Sequence, residues 1–381
     1  MLGNSPKIQT AQEPGWQVMA EDTHVGTLCG GFVLMATVAA AGLLWHLRRL
    51  ADVDTSDAKE SVPLVSNENG QGQSASASRT RAIVVLSIGL SPLGSCLLVG
   101  GSLHNVIAAM FAMHWLCMVL LPLIYYELVA GFGDHKELVL VASFYRKLMS
   151  EESRDIPLRL ARGSLIGLPV CCCILVAYSL GRCRTLRWPL CVQDLREPME
   201  DNGFQEHSMI FRLMAALYFT FWNPVVEEFF WRVFLHRELT TAIVPLVASE
   251  QAATRQHPHD ADVVGAEQAP WSQLWQDIKL MLLSFPAMLF ELPKQLPGFL
   301  PRAVACAMYA SYHMWPISVL FGNLWWIYAL GGFAFLYCLG RFLLLMRENS
   351  AFGLAAAYAL HMWVDAAFAA MCLLDPAALA S

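Results

Sequence analysis

The chain has 381 residues, of which 56% are hydrophobic and 15% charged, with a formal net charge of −6. An ordinary soluble domain carries about 25% charged residues, and a nucleic-acid binder needs a basic field that is missing here. The composition excludes a disordered chain, a nucleic-acid-binding protein and a typical soluble enzyme. It predicts an all-α polytopic membrane protein.

About 20 apolar residues cross a hydrocarbon core as a helix. On that measure spans are predicted at 25–47, 83–101, 105–130, 164–181, 208–236, 303–322, 324–346 and 352–374, about eight in all. Residues 1–24 read as a polar tail. Region 25–50 lacks the basic flank of a secretory signal and reads as a retained first anchor. Residues 51–82, rich in Ser, Asn, Gln and Gly, read as a disordered linker. Residues 83–204 hold the N-terminal membrane helices, and 205–375 a catalytic membrane domain. Within that domain 249–277 is a polar loop, whose His257-Pro-His259-Asp260 reads as solvated rather than as a metal clip. The stretch 278–292 reads as amphipathic or re-entrant, because Pro286 and Glu291 disfavour a span. The 11 Cys form no CxxC pair, and Cys171-Cys172-Cys173 read as small apolar residues.

Arg48, Arg49, Arg79 and Arg81 are separated by two spans from Lys136, Arg146, Lys147, Arg154, Arg159 and Arg162. Both groups therefore face the cytoplasm under the positive-inside rule. Arg182, Arg184 and Arg187 fall on the opposite side and go against it.

An ionisable residue inside a span costs at least ~2.5–3.5 kcal/mol on insertion scales and is a functional candidate by default. Three spans carry such residues. The first reads Asn223-Pro224-Val-Val-Glu227-Glu228-Phe-Phe-Trp-Arg232. Glu228 and Arg232 are i, i+4 and pair on one face. Glu227 points about 100° away and is left the less compensated of the two. Pro224 is expected to kink or open the helix one turn before the pair. The second span places Tyr309 one turn before His313, and the third places His361 one turn before Asp365. That last spacing lets Asp365 accept a hydrogen bond from the imidazole and orient it.

Bundling these helices converges two Glu, one Arg, two His and one Asp on one site. A Glu base with a His activates water, and a second His serves an oxyanion or the leaving amine. That set suits peptide hydrolysis without a covalent intermediate. No GxSxG or HExxH occurs. No cofactor is required; a zinc held by Glu227, His313 and His361 is the metal alternative. A proton-coupled transporter and a non-catalytic membrane scaffold or chaperone keeping a relic site are the rival classes.

The ordered motifs Glu227-Glu228-Phe-Phe-Trp-Arg232, Tyr309-Ala-Ser-Tyr-His313 and His361-Met-Trp-Val-Asp365 resemble those of the CAAX protease and bacteriocin-processing family of intramembrane proteases. The resemblance covers roughly residues 205–375. It implies a bundle like that of CAAX prenyl protease 2, with about eight transmembrane helices and glutamate-type peptidase activity. By that resemblance Glu227 and His313 activate water, and His361 with Asp365 stabilises the intermediate. Glu228, Arg232 and Tyr309 support them. The implied partners are membrane lipid and a protein or peptide substrate, first among them a prenylated CAAX protein losing its last three residues. The implied location is a multi-pass position in the membrane, the endoplasmic reticulum if the source is eukaryotic.

Overall fold

The computed structural model describes residues 75–100, 106–132, 135–153, 155–182, 209–251, 276, 278–279, 296–320, 325–349 and 351–373. The tail, the first anchor, most of the linker, residues 183–208, most of the polar loop beyond 251 and all of 280–295 lie outside the described residues. Among the described residues the regular structure is helical throughout.

Eight helices follow in chain order. Helix α1 (Ala75–Ser95) runs on into a π-helical turn, Cys96–Gly100. Helix α2 spans 106–132, with a π-helical middle at Met113–Leu120. Helix α3 is His135–Ser153 and α4 is Ile156–Arg182. Helix α5 spans 209–251. Helices α6 (Leu296–Leu320), α7 (Trp325–Glu348) and α8 (Gly353–Leu373) complete the bundle.

Among the described residues five segments are long and apolar enough to cross a membrane: Arg79–Gly100, Ala108–Leu128, Ile156–Ser179, Ile327–Glu348 and Gly353–Met371. Helices α5 and α6, which carry Glu227, Glu228, Arg232 and His313, fall outside that set. Large apolar side chains face outward along these helices, among them Leu98, Ile210, Leu330, Phe335 and Phe368. A soluble protein rarely exposes so much contiguous apolar surface, whereas lipid covers it without cost.

Three differences from the sequence expectation have simple causes. Helix α1 begins at Ala75, inside the stretch read as linker, and Arg81 there is held in an ion pair. Helix α3 occupies what read as a basic connection. It buries Val139, Val141, Ala142 and Leu148 and exposes Arg146, Lys147 and Glu151, so its mean hydropathy hides an amphipathic helix. Helix α4 begins eight residues before the expected span, because Arg159 and Arg162 are anchored in the structure.

Those two arginines fasten the α3–α4 turn to the α7–α8 turn. Glu152 accepts hydrogen bonds from the backbone N–H of Leu354 (2.7 Å) and Ala355 (3.2 Å), which caps α8, and pairs with Arg159 at 3.0 Å. Arg162 donates to the Ala351 carbonyl. Gly353 opens α8 with φ +68°, and a Cβ there would meet the Arg159 guanidinium and the Glu152 carboxylate. Gly353→Ala is therefore expected to lower unfolding free energy by about 1–2 kcal/mol from the left-handed backbone alone. Thermal unfolding in detergent against wild type measures it, and an unchanged midpoint would contradict the cap.

Helices α4 and α8 run in close contact. Gly163 and Gly167, one GxxxG step apart, let the backbones approach. A Cβ at Gly163 would lie 2.2 Å from the Ala356 carbonyl oxygen, and one at Gly167 would lie 2.8 Å from Trp363. Gly163→Ala is expected to destabilise the protein by about 1–3 kcal/mol through overpacking. Gly331→Ala, where open space awaits the methyl group, is the matched control; equal unfolding midpoints for the two variants would argue against the contact.

One end of the bundle collects the charges. The Glu238 carboxylate, fully buried, accepts from Arg81 (2.7 Å), Tyr125 (2.9 Å) and Tyr126 (3.3 Å), and also from Arg237. Glu348 pairs with Arg302 at 3.1 Å and with His236 at 3.8 Å. The Glu152–Arg159 pair lies beside these, since α3 ends and α4 begins there. A buried carboxylate with several donors is stable where a bare one is not. The core packs behind this end, with Trp231 stacked on Tyr312 (5.6 Å, 3°) and surrounded by Phe230, Phe234, Met113 and Val85.

Candidate functional site

The site lies eight to twelve residues along the helices from the charged end. Glu227 precedes Glu238 on α5, and His361 follows Gly353 on α8. At 1.5 Å per residue this is about 12–18 Å.

Helix α5 is irregular around its carboxylates. Tyr218–Trp222 and Glu228–Leu235 are π-helical, and between them Asn223–Glu227 is α-helical with Pro224 in its first turn. Proline donates no backbone hydrogen bond, so the turn before it widens. Tyr358 of α8 donates to the Phe221 carbonyl in that widened turn, at 3.2 Å. Pro224 does interrupt the helix, but Glu227 behind it is closed off, with 1% of its surface exposed.

Glu227 is not left uncompensated. Its Oε1 lies 3.6 Å from Nε2 of His114, on α2, and its Oε2 lies 3.7 Å from Nε2 of His361. Oε2 makes no hydrogen bond.

Glu228 meets the other nitrogen of the same His361 imidazole. Its Oε1 is 2.7 Å from Nδ1 of His361 and 3.5 Å from a terminal nitrogen of Arg232. The Arg232 guanidinium lies over the Tyr309 ring, 4.1 Å from its centre, and its two terminal nitrogens make no hydrogen bond. The i, i+4 pair expected from the sequence is thus present as an ion pair. The aromatic face of Tyr309 completes the cage around the cation.

The expected His361–Asp365 hydrogen bond is replaced by another. Asp365 Oδ1 stands 3.6 Å from His361 Nε2, too far for a hydrogen bond. Asn223 donates to Asp365 Oδ2 at 2.8 Å, and Glu228 takes the imidazole. A carboxylate is acceptor-only, so Nδ1 of His361 carries the proton in that contact. Nε2 then faces Glu227 and Asp365. The Asp365 side chain is 16% accessible, against 1–2% for Glu227, Glu228 and His361.

His313 stands near these groups with no ion pair or hydrogen bond to Glu227. Its Nδ1 lies 2.8 Å from the Tyr309 carbonyl oxygen, and its ring packs against Tyr309 (4.9 Å) and Tyr312 (3.9 Å). A carbonyl oxygen only accepts, so Nδ1 is the donor and Nε2 keeps the free lone pair. As placed, Glu227, His313 and His361 do not form a three-ligand zinc site. Among the described residues no group of three or more His, Cys, Asp and Glu side chains is arranged to hold a metal ion.

The sequence reading missed His114, Tyr218 and Asn223. The span 105–130 was read as clean, although it holds a histidine that is fully buried. That one residue was the available signal. Nothing in the spacing pointed to Asn223 as the partner of Asp365. Arg341 of α7 is a second buried charge within a span read as clean, its guanidinium 5.2 Å from the centre of the Phe299 ring.

A comparison of the chain with protein-family models, with curated proteins and with solved structures finds no match.

Proposed function

We propose that this chain is an intramembrane endopeptidase of the glutamate type, with α5 and α6 crossing the bilayer beside the five apolar helices. The observation that carries the reading is the Glu227 carboxylate, buried between two imidazoles, with one oxygen left without a hydrogen bond. The three ordered motifs that resemble the CAAX protease and bacteriocin-processing family support it. So does the single free lone pair that the Tyr309 carbonyl leaves on His313.

In this reading Glu227 and His313 orient a water molecule. One O–H bond breaks, its proton passes to Glu227, and the oxygen bonds the peptide carbonyl carbon. The carbonyl electron pair moves to oxygen, where His361, carrying a proton on Nε2, stabilises the charge. Collapse breaks the C–N bond, and the proton held by Glu227 goes to the departing amine. Glu228 holds His361 through Nδ1 and leaves Nε2 to serve the reacting centre. Asp365, anchored by Asn223, sets the electrostatics at the outer edge.

A lipid-embedded site suits a substrate that is itself membrane-bound, and a prenylated CAAX protein is the first choice. The test is release of the C-terminal tripeptide from a farnesylated CAAX peptide by purified protein in lipid nanodiscs, with and without a strong chelator. Cleavage that survives chelation supports the reading. Loss on chelation with rescue by zinc replaces it by a metal mechanism. No cleavage by well-folded protein rejects the prenyl substrate.

A further inference from the structure

The clamp on the far side of Glu227 is a part of the site that neither the motifs nor the family resemblance includes. His114 sits in the π-helical middle of α2, fully buried. Its Nδ1 lies 3.2 Å from the Tyr218 hydroxyl, and its Nε2 makes no hydrogen bond but stands 3.6 Å from Glu227 Oε1. Tyr218 is itself held by the ring of Phe111, stacked at 4.8 Å. Two separate elements thus aim one imidazole nitrogen at one oxygen of the carboxylate.

The plane of a glutamate carboxylate is set by a soft torsion with broad wells. A buried Glu without a partner would sample many planes, and its reactive oxygen would point in many directions. Phenol and carboxylate suggest the proton placement. The Tyr218 hydroxyl donates to Nδ1, and Nε2–H faces Oε1, because an ionised carboxylate can only accept. Oε1 thus faces His114 at 3.6 Å, beyond hydrogen-bond length, and Oε2 is the oxygen presented toward His361 at 3.7 Å.

We propose that His114, backed by Tyr218, is a positioning residue that fixes the Glu227 carboxylate so that Oε2 receives the proton of the attacking water. The inference rests on the proposed hydrolysis. A helix–helix glue residue would have been satisfied by Tyr218 alone; the second nitrogen aimed at Glu227 is what a positioning role adds.

The test compares wild type, His114→Leu, His114→Gln, His114→Asn and Glu227→Gln on the farnesylated CAAX peptide in nanodiscs, with thermal unfolding of each. Misplacing a reacting group by about 1 Å costs about 10²-fold, so His114→Leu should lose about that factor in kcat with KM unchanged, beyond whatever midpoint it loses by stranding the Tyr218 hydroxyl. Gln sets an amide N–H where Nε2 stood and should restore most of the rate. Asn reaches only the Nδ1 position and should not. His114→Leu at wild-type kcat beside an inactive Glu227→Gln overturns the inference and leaves the proposed function standing. Equal losses in the Leu and Gln variants with a lowered midpoint assign His114 a structural role and overturn it as well. A wild type without activity, or a fully active Glu227→Gln, overturns the proposed function and the inference with it.

Discussion

Glu227→Gln is expected to reduce cleavage by about 10³-fold or more while leaving the fold intact. Gln occupies the same volume and still offers an oxygen and an N–H to His114 and His361, so the contacts at 3.6 and 3.7 Å persist in neutral form. It cannot take a proton from water. General-base catalysis contributes typically 10²–10⁴-fold, and no other carboxylate is placed to replace it. Glu228 is engaged by His361, and Asp365 by Asn223. The measurement is single-turnover cleavage with a thermal unfolding curve for each protein. Retained turnover with an unchanged midpoint would remove Glu227 from the chemistry and overturn the glutamate-type mechanism.

Arg232→Ala is expected to cost about 3–5 kcal/mol of stability, the range for breaking one half of a buried ion pair. The loss has two parts. The guanidinium leaves the Tyr309 face, and Glu228, 1% exposed, keeps His361 as its remaining polar partner. Two further variants separate these parts. Arg232→Lys keeps the charge but not the planar stacking surface, and should fall between wild type and Ala. Glu228→Gln combined with Arg232→Met removes both charges while filling the space, and should unfold at a higher temperature than Arg232→Ala. If the double variant is no more stable than the single one, the stranded charge is not what Arg232 neutralises.

The sequence was most informative where chemistry is local. Residues four apart on one helix meet without help from the rest of the chain, and so Glu228–Arg232 and Tyr309–His313 were legible from spacing. The same logic failed for His361 and Asp365. Their spacing is right, yet Glu228 from α5 competes for the imidazole and Asn223 for the carboxylate. Helix α3 escaped a hydropathy measure because half of its surface is polar. His114 escaped because one imidazole barely changes the hydropathy of an apolar stretch.

By itself, the amino-acid order determined that the described residues are helical with membrane-spanning character, and that three segments carry charges that lipid would not tolerate. Those properties depend on composition and on the period of a single helix. The tertiary structure alone decided which charge meets which: two imidazoles on Glu227, one on Glu228, an amide on Asp365 and four donors on Glu238. All of these except the contact of Arg237 with its neighbour Glu238 join residues more than a hundred positions apart. They depend on how helices cross and on where small residues such as Gly163 and Gly167 let backbones approach. No local period encodes that geometry.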